Sequence, residues 1–120
     1  MEIKEDIAIA RLYCAETGEF TITNSLINFN SSDSELLANL LNQYLGVIRI
    51  LNIKLNKINY LISKHLFSLL RIIEKSNMKN QITINWFYKY EHDDLYEIGR
   101  FYSSVIHTPF NFIKFQRLRN

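Results

Sequence analysis

The chain has 120 residues, 48% hydrophobic and 22% charged, with a formal net charge of +2. That length supports one hydrophobic core rather than two, and the composition is that of an ordinary globular domain. The small net charge, with Lys and Arg spread among Asp and Glu, argues against a nucleic-acid binder.

The start of the chain lacks a charged segment followed by an apolar one, so no signal peptide is expected. No apolar run approaches the ~20 residues of a membrane helix. A cytoplasmic protein without membrane insertion follows. Ile7 to Tyr13 reads as a first strand, followed by Cys14, the only cysteine. A lone thiol forms no internal disulfide and no zinc site, and its plain reading is a small buried side chain. Glu16-Thr17-Gly18-Glu19 is a turn signal, and Phe20 to Asn24 is a second strand. The short connection predicts an antiparallel hairpin.

Asn28 to Ser34 is a polar loop. Ser32 and Glu35 have capping-box spacing, and Leu36, Leu37, Leu40, Leu41, Tyr44 and Leu45 recur behind them at helical intervals. Gly46 is a suitable C-cap. This helix has no Lys or Arg between Ser34 and Gly46, which argues against a membrane-surface role. Leu51, Ile53 and Leu55 then alternate with Asn52, Lys54 and Asn56, the period of a strand.

A link at Asn59 to Ile62 leads to a helix with the stripe Ile62, Leu66, Leu69, Leu70 and Ile73, for which Ser63 is the expected N-cap. Asn77 to Asn80 is a loop, and Gln81 to Tyr90 is a strand. Asp93 to about Val105 is a helix whose acidic start suits the helix dipole, and Phe110 to Phe115 is the last strand. The last residues, Lys114, Arg117 and Arg119, form a short basic tail that reads as a solvated terminus.

The order is β-β-α-β-α-β-α-β in one domain over residues 1–120. Three strand–helix–strand steps predict right-handed crossovers and a mixed, mostly parallel sheet, an α/β fold near the α+β border. Strands covered on both faces are apolar throughout, but two of these alternate. Ile82, Ile84 and Trp86 oppose Thr83, Asn85 and Phe87. Helices are therefore expected mainly on one face, with the other partly open to solvent, a partner or a second copy.

The search for chemistry finds no strong motif. His65, His92 and His107 have no metal-ligand spacing, and the three glycines are isolated. His92 beside Asp93 and Asp94 reads more simply as a solvated helix start than as an ion site. The aromatics Trp86, Phe87, Tyr88 and Tyr90 have no basic stripe beside them for stacking on bases. No cofactor is implied.

Three segments together resemble the SiaC family of bacterial regulatory phosphoproteins, from about Glu16 to Phe115. The first is Glu16 to Ile22 with the helix ending near Gln43-Tyr44-Leu45. The second is Ile58 to Leu70. The most specific is Ile82-Thr83-Ile84-Asn85-Trp86-Phe87-Tyr88, followed by Asp93-Asp94, Glu97-Ile98-Gly99 and Pro109-Phe110. The resemblance implies a STAS-like domain, akin to anti-sigma-factor antagonists, that acts by protein contact in a partner-switching system. It implies a kinase of the anti-sigma type, a PP2C phosphatase and a diguanylate cyclase as partners.

The family's switch is a Thr in an Asn-Thr-Ser-Ser-Ser-Lys turn. Aligned on Ser63-Lys64, Asn59 matches the Asn, Tyr60 replaces the Thr, and Leu61 and Ile62 replace two serines. The expected contact surface is therefore Asn59, Tyr60, Leu61, Ile62, Ser63 and Lys64, flanked by Asp93 and Asp94. Ser63 is the remaining hydroxyl for a Ser/Thr kinase there, though constitutive, phosphorylation-independent docking is equally implied. Two other readings stay open: a small enzyme using Cys14 or a His/Asp pair, and a self-associating module, such as a homodimer, using the open sheet face.

Overall fold

Gly18 sets the entry to the sheet. Its φ of +74° lies in the left-handed region, and a Cβ there would stand 3.3 Å from the Val47 carbonyl oxygen. The Gly18 carbonyl accepts from the backbone N–H of Arg49 (2.7 Å) and Ile50 (3.1 Å), which aligns the two strands that follow each turn. The computed structural model describes residues 17–24, 39, 46–76, 82–91 and 93–115. Its elements are β1 (Glu19–Thr23), β2 (Ile50–Lys54), α1 (Tyr60–Ser76), β3 (Thr83–Tyr88), α2 (Asp94–Val105) and β4 (Phe110–Lys114). The predicted strand at Ile7–Tyr13 and helix behind Ser32 lie outside the described residues.

The four strands form one parallel sheet in the order β1-β2-β3-β4. Consecutive parallel strands joined by right-handed crossovers place α1 and α2 on the same face. The α/β architecture expected from the alternating elements is thus present. On the helix-bearing face, Phe20, Ile22, Leu51, Ile53, Leu55, Ile82, Ile84 and Trp86 are all buried. They meet Ile62, Leu66, Leu69, Leu70 and Ile73 of α1, the stripe expected from helical spacing. Each such side chain contributes roughly 1.5–3 kcal/mol of gross burial free energy.

Helix α2 lies directly on Trp86. The indole Nε1–H donates to the Leu95 carbonyl at 3.0 Å, which satisfies the one polar atom of a fully buried ring. Gly99 stands over the same ring, and a Cβ there would overlap the indole. Tyr102 meets Trp86 edge-on, with ring centroids 5.7 Å apart, and Phe67 of α1 at 5.5 Å. On the β4 side of α2, Tyr96 packs on Tyr88 and Phe112.

The second sheet face is built differently. In the strand register, Thr21, Asn52, Asn85 and Asn111 lie side by side. Asn111 Nδ2 donates to Asn85 Oδ1 (3.2 Å), and Asn85 Nδ2 to Asn52 Oδ1 (3.0 Å). Asn52 Nδ2 then donates to Glu19 Oε1 (3.1 Å) and Thr21 Oγ1 (3.4 Å). The side chains expected to face solvent thus bond one another, and Asn52 is buried rather than solvated. Beside the ladder, Lys54 places its ammonium 4.7 Å from the centre of the Phe87 ring.

Candidate functional site

Parallel strands send both helices off from the same sheet edge. The N-termini of α1 and α2 therefore stand together beyond the C-terminal ends of β2 and β3. The loop into α1 is held by Asn24 at the end of β1. Its Oδ1 accepts from Asn56 N, and its Nδ2 donates to the Lys57 carbonyl. Asp93 caps α2: one carboxylate oxygen accepts from Tyr96 N at 2.7 Å, the other from Tyr90 N at 3.4 Å. Between these two supports runs an open groove of about 220 Å³, lined by Asn56, Lys57, Ile58, Asp93, Asp94 and Leu95. The acidic turn and the loop leading to Asn59 are thus neighbours in space, 35 residues apart in sequence.

The expected surface at Asn59–Lys64 forms the first turn of α1 rather than a link. Asn59 is the cap, since its Oδ1 accepts from Ile62 N at 2.9 Å. Ser63 lies inside the helix, and the reading of Ser63 as N-cap is corrected. Asn suits a cap as well as Ser does, and starting at Asn59 lets Ile62 reach the core. Ile62 is buried, so it anchors the turn instead of facing outward. Tyr60 is 82% exposed and Leu61 55%, with Asn59 and Lys64 exposed beside them. A tyrosine and a leucine so exposed on one helical turn make an apolar patch just past the groove-lining residues 56–58 in the chain.

Ser63 is half-buried and turned toward α2. The Tyr102 hydroxyl donates to the Ser63 carbonyl at 2.8 Å and bonds the Ser63 hydroxyl as well. A phenol has one proton, so the Ser63 Oγ–H must donate to the Tyr102 oxygen. Burial raises the Tyr102 pKa, only partly offset by the Ser63 bond, so the phenol stays protonated and able to donate. Phosphorylation of Ser63 would require this closed pair to open.

Sequence reasoning missed Tyr102, the loop 56–58 and the exposed ring of Phe101. No local pattern marks Tyr102, because its partner is 39 residues away. Among the described residues, no three His, Cys, Asp or Glu side chains gather as metal ligands do. Cys14 and His92 lie outside the described residues. Among those residues no helix is long and apolar enough to cross a membrane.

A family model described as SiaC family regulatory phosphoprotein matches residues 43–115. Among solved structures, the chain is similar to one chain of the crystal structure of diguanylate cyclase SiaD in complex with its activator SiaC from Pseudomonas aeruginosa. The TM-score is 0.68 at 13% identity, over 83% of this chain and 86% of that one. At that identity the likeness is one of fold. No curated protein matches.

Proposed function

Because the chain belongs to the SiaC family of regulatory phosphoproteins, we propose that it is a non-enzymatic regulator that docks on a signalling protein. The contact surface is the first turn of α1, with Asn59, Tyr60, Leu61, Ser63 and Lys64 around the anchored Ile62, flanked by Asp93 and Asp94. The observation that carries this reading is the exposed Tyr60–Leu61 pair on the first turn of α1. Interface cores favour such side chains, and tyrosine is a frequent anchor.

The partner class is a diguanylate cyclase, by analogy with the similar complex. The position of the family's acceptor Thr holds Tyr60, which a Ser/Thr kinase does not modify. Docking here is therefore constitutive, and control by an anti-sigma-type kinase and a PP2C phosphatase is lost at this position. A phosphate would place about −2 of charge in an apolar contact, which is how the family's switch would release its partner. The protein acts in the cytoplasm.

The test is co-elution of the purified chain with diguanylate cyclases from the same genome, with cyclase output measured alongside. Wild type binds and changes output. Leu61→Asp, which alters an exposed side chain, loses binding while its far-ultraviolet circular dichroism is unchanged. Binding retained by L61D would place the contact elsewhere. Mass spectrometry after incubation with an anti-sigma-type kinase from the same genome should find no phosphate on Tyr60 or Ser63.

A further inference from the structure

We propose that the outer edge of β4, unpaired among the described residues, pairs with the β4 edge of a second copy, in antiparallel register about Asn111, to give one sheet across a two-fold dimer. Three observations on that edge agree.

The first is the backbone. Among the described residues, β4 pairs only with β3. The Pro109 carbonyl and the Phe115 N–H both bond β3, to Ile84 N and the Tyr88 carbonyl. Peptide groups alternate along a strand, so those of odd-numbered residues face β3. The N–H and C=O groups of Phe110, Phe112 and Lys114 therefore point away from the sheet.

The second is Asn111. One amide proton goes to Asn85 Oδ1, closing the ladder. Its other amide proton and its Oδ1 have no partner among the described residues, and the side chain is exposed. A primary amide with one N–H and one oxygen left over is self-complementary. Two of them related by a two-fold axis form a reciprocal pair.

The third is that both requirements select one register. Placing Asn111 opposite its copy sets Phe110 opposite the copy's Phe112. Both are outward-facing residues, so they form the hydrogen-bonded pairs of the ladder. Asn111 then falls in a non-hydrogen-bonded pair, where Cα atoms approach to about 4.5 Å and side chains meet most closely. Aromatic residues face each other on the helix-bearing side. The two Lys114 Cα atoms stand about 20 Å apart, six strand positions, so no like charges sit directly opposite. The amide ladder then runs from one β1, through the axis, to the other.

A single edge pair buries little surface, so the dimer is of the weak class, with dissociation between about 1 µM and 1 mM. Sedimentation equilibrium of the full chain over that range should show a monomer–dimer transition. Asn111→Asp places two carboxylates at the axis and should weaken the dimer at least about tenfold. The register is read by disulfide trapping in a Cys14→Ser background. N111C should cross-link rapidly, because Cα atoms about 4.5 Å apart lie within disulfide reach. K114C, about 20 Å from its copy, should not. Trp86 emission, compared between monomeric samples, reports that each variant is folded. A chain that stays monomeric at every concentration, or K114C cross-linking as fast as N111C, overturns the proposal. The docking surface at the first turn of α1 is not used here, so failure of one proposal leaves the other standing.

Discussion

Gly99 is set by a single contact, that of its α-hydrogen with the Trp86 indole. Adding one methyl group there forces α2 off the ring or the ring out of its rotamer. Gly99→Ala should therefore destabilise the protein by about 1–3 kcal/mol, seen as a lower urea midpoint with an unchanged slope. Helix propensity alone would favour Ala by nearly 1 kcal/mol, so the sign of the effect separates packing from propensity. Trp86 as a core residue was legible in the sequence, because it alternates in phase with Ile82 and Ile84. The glycine's reason was not, since it depends on which ring faces it across two elements. The Ser63–Tyr102 pair was equally hidden, because it joins two helices whose facing depends on the packing.

At the scale of elements, the stripe on α1 was fully legible, because burial on one sheet face imposes helical spacing on the sequence. The start of α1 was not. Asn59 and Ser63 both have capping side chains, and the Asn59 bond to Ile62 N, with the burial of Ile62, decides between them. Asn59→Ala should cost about 1 kcal/mol in urea denaturation, whereas Ser63→Ala tests a different bond, the one to Tyr102. If N59A proved as stable as wild type, the cap would have to be reassigned. The alternating strands correctly indicated helices on one face. They could not reveal the ladder on the other, because alternation fixes faces while the side-chain bonds depend on register between strands.

The whole molecule is tied across its far end by Glu74 of α1. Its Oε2 accepts from the His107 backbone N–H in the turn between α2 and β4, and its Oε1 from Arg71 at 2.8 Å. The His107 bond first, then Arg71, lowers the carboxyl pKa from its ordinary 4.5. A lowered folded-state pKa means that the carboxylate contributes stability above the unfolded value and loses it as pH falls through the folded one. The stability gap between wild type and Glu74→Gln should thus be widest near neutral pH and close below about pH 4.5. A gap that stays constant down to strongly acid pH would show that the charge plays no part. This tie was invisible in the sequence, where Glu74 reads as one more exposed helix carboxylate.

The amide ladder has one more property, a sense of direction. All three asparagines turn their NH₂ toward β1, and Asn52 and Asn85 accept on their oxygens from the β4 side. Reversing one member would set two donors or two acceptors against each other, so the amides hold their orientation as a set. That orientation is anchored where Glu19 and Thr21 accept the last two protons. A carboxylate can only accept, so it admits one polarity for the whole row. The acceptor role of Glu19 therefore sets the orientation of the Asn111 amide three strand spacings away, about 14 Å across the sheet.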